Sequence, residues 1–301
     1  MGKLINFLAG FVRRHSFLRI TVAAISRSMA RDVMLFAGGA SFFGMLALFP
    51  AIALSVAVYG LVFSVTDAQD QLARLAEIMP AGAQDFMLRQ MTSIAEAPIT
   101  RLSTQGAIAL AIALFAASRG AKALIAGLNH IAEDKDIRNV IHFNILAMVS
   151  VLIGGALLAA ANLAVLIVPV TLRQAMEAIG LEPLDFGVIV NEWTAAAMTM
   201  MIGLTLLYRL AMRQREAAIA WTAAMVAAMT STLLWLGLSK GFSIYVNNVV
   251  DFSIYGSLGA LVVFLLWIYW SAYAVFFGGA LAIELDAAER HHRENSASQP
   301  E

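Results

Sequence analysis

Cysteine is absent from this chain of 301 residues, so no disulfide, thiolate nucleophile or Cys-ligated metal can form. Charge is scarce as well. Only 13% of residues are charged, against about 25% in an ordinary soluble domain. Neither sign is in excess, since 20 Lys+Arg balance 20 Asp+Glu. Apolar residues are abundant instead, at 60% of the chain with a mean hydropathy of +0.78. So few charges do not coat a soluble globule of this size. A soluble enzyme, a disordered chain and a basic nucleic-acid binder are all disfavoured, and an integral membrane protein is the class that remains. The N-terminal apolar run, Leu4 to Val12, is short. It is followed by Arg13, Arg14, Arg19, Arg27 and Arg31 with no small-residue cleavage site, so the segment is expected to be retained.

A membrane-crossing helix needs about 20 apolar residues. Six uncharged stretches qualify or nearly do. They lie between Asp32 and Asp67, Arg101 and Arg119, Arg138 and Arg173, Glu192 and Arg209, Glu216 and Lys240, and Asp251 and Glu284. The second covers about 26 Å as helix, and Arg119 can snorkel to lengthen it. Pro50 lies inside the first and Pro169 at the end of the third, and Pro50 is expected to kink its helix. Segments on alternate sides of these spans carry unequal basic charge. The N-terminus, the second and fourth loops and the tail hold 15 of the 20 Lys/Arg. The positive-inside rule then puts both termini in the cytoplasm. The expected architecture is an all-α, polytopic bundle of six transmembrane helices. Residues 1–31 are a cytoplasmic amphipathic segment, 32–286 the membrane domain with an outer helical loop at 65–103, and 287–301 a disordered cytoplasmic tail.

Candidate chemistry is sparse. The five histidines, His15, His130, His142, His291 and His292, form no metal-ligand pattern. No carboxylate pair lies inside a span, and Gly256-Ser-Leu-Gly259 has its serine one place early for a nucleophile elbow. No catalytic residue, metal or cofactor is assigned, and no nucleic-acid partner is expected. Small residues are the clearest internal feature: Gly38, Gly39, Ser41 and Gly44, then Gly154 and Gly155, then Gly256, Gly259, Gly278 and Gly279. They allow tight helix packing, or, at Gly256–Gly259, a hinge beside a substrate path. Glu192 is either interfacial or, facing the bundle, a proton or cation site. Arg119, Lys122 and Asn129 belong to a solvated amphipathic helix or contact a headgroup or anionic substrate. Trp267 and Trp270 fall mid-span, where bundle packing or a lipid-facing wall explains them better than an interfacial belt.

Three segments resemble the YihY/virulence factor BrkB family of bacterial inner-membrane proteins, historically labelled ribonuclease BN. They are Gly39-Ala-Ser-Phe-Phe-Gly-Met-Leu-Ala-Leu-Phe-Pro50, Ser118-Arg-Gly-Ala-Lys-Ala-Leu-Ile-Ala-Gly-Leu-Asn129 and Tyr255-Gly-Ser-Leu-Gly-Ala-Leu-Val-Val-Phe-Leu-Leu-Trp-Ile-Tyr-Trp-Ser-Ala272. The resemblance implies a six-helix inner-membrane protein with no secure biochemical activity. It singles out Ser41, Phe42, Pro50, Ser118, Gly120, Asn129, Tyr255, Gly256, Ser257, Gly259 and Trp267 as motif and candidate substrate-path residues. The chain departs from the pattern at Phe43 and Ala47, where the family has Tyr and Ser, and at Ala280, where it has a carboxylate. The expected function is a transporter-like protein, not a ribonuclease, that moves a lipid, amphiphile or small solute. The alternative is a non-catalytic envelope scaffold or a virulence- or serum-resistance-associated membrane protein. Expected partners are membrane lipids, with self-association of the chain left open. A cavity between the first, third and sixth spans would favour transport, and a solid interior would favour the scaffold.

Overall fold

The computed structural model describes residues 16–62, 102–133, 140–178, 191–214, 217–249 and 252–297. These form seven helices. In chain order they are α1 (Ser16–Ser28), α2 (Arg31–Val62), α3 (Leu102–Ile131), α4 (Val140–Ala178), α5 (Glu192–Ala211), α6 (Trp221–Val249) and α7 (Phe252–Ala297). A two-residue antiparallel hairpin joins α5 to α6, with β1 (Arg213–Gln214) paired to β2 (Ala217–Ala218). Residues 1–15, the outer loop over 65–101 and the last residues of the tail lie outside the described residues.

Five helices, α3 to α7, contain stretches long and apolar enough to cross a membrane, and α1 with α2 counts as a sixth span bent by 64°. The outer surface agrees with that count. Leu35, Phe115, Ile145, Leu158, Met225, Leu233 and Val262 are all exposed. Apolar exposure on this scale marks a surface solvated by lipid and not by water. α4 is 39 residues long and α7 is 46. At 1.5 Å per residue they reach roughly 58 and 69 Å, well beyond a hydrocarbon core of about 30 Å, so each tilts or projects past the bilayer.

The six long helices pack as a ring. α2 lies against α3, α3 against α4, α4 against α5, α5 against α6, α6 against α7, and α7 against α2. α3 also reaches α7 and α5 across the middle, and α1 docks on α7. Small side chains make this closeness possible. The core is dominated by alanines, among them Ala37, Ala116, Ala224, Ala228, Ala274 and Ala280. α4 is the exception, because Ala147 is its only buried residue among those described.

One expectation is corrected. The tail from residue 287 was expected to be disordered, but α7 continues through Ala297. The Asp286–Arg290 pair, one turn apart, and a Thr222–Glu289 hydrogen bond of 2.7 Å fasten that extension. At Gly256–Gly259 the helix is continuous, since α7 runs from Phe252 through these glycines. The helices α2 and α4 run on past Pro50 and Pro169 to Val62 and Ala178.

Candidate functional site

The three sequence motifs meet in the bundle. Gly120 of α3 lies so close to α2 that an added Cβ would stand 3.6–3.7 Å from Gly44 N, Phe43 Cβ and Ala40 O. Gly39 faces Ala123 and Gly44 faces Ile268 of α7, both at 3.6 Å. The first two motifs thus form the α2–α3 seam, and the third closes on it. Ser41 and Ser118 are buried but bond to their own helices, to Gly38 O at 2.9 Å and Phe115 O at 2.8 Å. Asn129 is also buried, at 4% exposure, and so is not the solvated residue of an amphipathic surface. Phe42 is 59% exposed and faces outward. The side chains of Pro50, Tyr255, Gly256, Ser257 and Glu192 lie outside the described residues, and Gly259 is half-buried.

The two tryptophans of α7 differ in their surroundings. Trp270 is exposed. Trp267 joins a reciprocal clasp between α6 and α7. Its Nε1 donates to Ser239 Oγ, Trp235 Nε1 donates to Ser271 Oγ, both at 3.1 Å, and the two indoles lie 6.1 Å apart. Glu192 opens α5 as its first residue, behind the Asn191 cap. Asn191 Oδ1 accepts from Thr194 N, and Asn191 N donates to Thr194 Oγ1, each at 3.0 Å.

The centre of the bundle contains a polar lock that the sequence reading missed. Tyr208 of α5 is fully buried. Its hydroxyl donates to Val275 O at 2.7 Å and shares a 2.9 Å hydrogen bond with Ser231 Oγ. One phenol therefore ties α5 to α6 and α7. Gly278 leaves room for it, since any side chain there would overlap Ser231 Oγ and Tyr208 Oη. Next to it, Gly279 makes room for Leu128, and Gly127 lies against Phe276 and Phe36. Ala280, where the resemblance predicts a carboxylate, is fully buried among apolar neighbours.

Charges gather at one end of the bundle. Arg27 of α1 donates through Nε to Glu284 Oε1 at 2.8 Å, and through Nη1 to Glu133 Oε1 at 2.9 Å and Ile131 O at 3.3 Å. It thereby joins α1, α7 and the C-terminus of α3, where a cation suits the helix dipole. Glu133 sits in the left-handed region at φ 53, just past the end of α3. Asp286, only 2% exposed, accepts from Ala220 N at 2.9 Å and from Arg290 Nε at 2.8 Å. Arg209 bonds Ile219 O and stacks 5.3 Å over Trp221, which closes the α5–α6 turn. Among the described residues, no three His, Asp or Glu side chains gather as a metal site.

A cavity of about 230 Å³ lies between α3, α4 and α5. Its walls include Ala121 and Leu124, Gly154, and Met200, Leu204 and Leu207, with Ser150 as the one hydroxyl side chain. Ser150 Oγ is already bonded to Leu146 O at 2.8 Å. Gly154 has open space where a side chain would be, with nothing within 4 Å. This cavity belongs to the second, third and fourth spans, and not to the first, third and sixth.

A family model described as Virulence factor BrkB matches residues 24–300. The chain belongs to the virulence factor BrkB family. Among BrkB relatives, a protein of Bacillus subtilis (strain 168) named as ribonuclease-like, YfkH, is 26% identical over 265 residues, which cover 85% of this chain and 90% of that protein. A UPF0761 membrane protein of Yersinia pseudotuberculosis serotype O:3 (strain YPIII) is 34% identical over 79 residues, and one of Yersinia pestis (strain Pestoides F) is 33% identical over 79. Those two matches cover 25% of this chain and 27% of each Yersinia protein. No solved structure matches this BrkB chain.

Proposed function

We propose that this BrkB-family protein is a multi-pass protein of the bacterial inner membrane that moves a lipid, amphiphile or small solute, and that it is not a ribonuclease. The observation carrying this reading is the apolar cavity between α3, α4 and α5. At about 230 Å³ it is smaller than the about 300–1,000 Å³ of sites that enclose a whole drug-sized ligand. It suits part of a molecule, such as a length of acyl chain. α4 is the mobile wall in this reading, because so little of it is buried. The charged end faces the cytoplasm, as the basic residues of the loops require. The non-enzymatic part rests on how the carboxylates there are used. Glu133, Glu284, Asp286 and Glu289 each hold helices together through Arg27, Arg290, Ala220 N or Thr222. An envelope scaffold is the second reading, favoured by the filled interior around Tyr208.

Gly154→Leu separates the two. It fills the cavity from a position with no neighbour in the way and removes a glycine that costs about 1 kcal/mol in a helix. Transport predicts unchanged or higher thermal stability, with loss of the lipids or solutes that co-purify with or stabilise the wild type. The scaffold reading predicts the same retained molecules in both proteins.

A further inference from the structure

We propose that the outer face of α3 binds the phosphate of an anionic glycerophospholipid through Arg119 and Lys122, at a site separate from the cavity. Arg119 lies inside the candidate span Leu110–Ile131. It is 12 residues from the end of α3 at Ile131, or about 18 Å along the helix. A charged side chain within so apolar a stretch ordinarily faces the bundle interior and meets a counter-charge. Arg119 does neither. It is exposed, and its guanidinium lies 5.0 Å over the ring of Phe115, one turn further from Ile131. Lys122, half-buried, stands one turn away on the same face. Among the described residues, no carboxylate pairs with either cation. Among the described residues, Asp32 of α2 is engaged with His130, eleven residues beyond Arg119 on α3, at 3.4 Å.

The surroundings select an amphiphile over a free anion. Ile108, Ile112 and Phe115 continue the stripe below Arg119, each about half exposed. Phe42 and Leu46, also exposed, flank it on α2 at the level where Gly44 meets Gly120. Two cations above an apolar strip match a phosphate above acyl chains. The site is independent of the cavity. At 100° per residue, Ala121 and Leu124 point to the opposite side of α3 from Arg119, so loss of cavity function and loss of this site are distinguishable.

The test uses the full chain reconstituted in phosphatidylcholine vesicles with a trace of spin-labelled phosphatidylglycerol or spin-labelled phosphatidylcholine. The phosphatidylglycerol label should be preferentially immobilised. Removing the cations in Arg119→Gln and Lys122→Gln should weaken that preference about fivefold each, while Arg119→Lys retains most of it. The single variants carry the test if the double variant does not fold. Equal immobilisation of the two labels, or a preference unchanged in both Gln variants, overturns the proposal. The chain lacks cysteine, so Ile112→Cys supplies a unique thiol. Efficient disulfide-linked dimers of that variant would show a second copy on this face and also overturn the proposal. A thiol that stays monomeric and is shielded by lipid supports it.

Discussion

Gly278→Ala is expected to be the most damaging glycine-to-alanine change among the described residues. The new methyl would overlap Ser231 Oγ and Tyr208 Oη in the centre of the α5–α6–α7 contact. The phenol cannot simply turn away, because it is fully buried and both its hydrogen bonds are made there. Overpacking of a filled core costs about 1–3 kcal/mol and occasionally more, and here the loss of two buried hydrogen bonds adds to it. The purified variant should show a markedly lower melting temperature, or fail to accumulate. Ser231→Ala placed in the same chain removes one of the overlapping atoms and should restore part of the loss. Gly237→Ala is the matched control. Nothing lies within 4 Å of its added Cβ, so it should be neutral or slightly stabilising. A Gly278→Ala protein as stable as Gly237→Ala would contradict the close packing described for this contact.

Asp286→Ala should produce the second largest loss, by a different route. Its buried carboxylate satisfies the backbone N–H that opens α6 at Ala220 and pairs with Arg290. It thus supplies from a neighbouring helix the acceptor that a capping carboxylate would supply locally. A hydrogen bond to a charged group contributes about 1.5–3 kcal/mol. Both partners would be stranded by alanine, although Arg290, with 29% of its side chain exposed, can recover some hydration. Asp286→Asn keeps an acceptor for Ala220 N and should lose less. Hydrogen exchange at the first turn of α6, with the melting temperature, separates the two variants. Equal protection in Asp286→Ala and wild type would mean that the contact does not hold α6.

These two positions show where the sequence was legible. Membrane class, span number and helix type follow from long uncharged runs, because hydrocarbon imposes one strong requirement on every residue of a span. The α2–α3 seam was also visible, since Gly39, Gly44 and Gly120 lie in recognisable small-residue motifs. The lock was not. Tyr208 and Ser231 sit on different helices and are ordinary residues in their local context. Only the ring order of the helices brings them to Val275 and Gly278. Asp286 was passed over at the end of the membrane domain for the same reason, because its partner Ala220 is 66 residues away. The small residues also divide into two groups that sequence alone does not separate. Gly278 and Gly279 admit a neighbour, while Gly154 and Gly155 face open space.

The cavity between α3, α4 and α5 is the centre of the functional account, and photochemical mapping tests it most directly. The full chain would be reconstituted with a phospholipid carrying a photoreactive group near the end of its acyl chain, irradiated, and the labelled residues identified by mass spectrometry. The account predicts label concentrated on Met200, Leu204 and Leu207 of α5 and on α4 around Gly154, and its loss in Gly154→Leu. Label spread evenly over outward residues such as Met225, Leu233 and Val262, with none in the cavity, would contradict it.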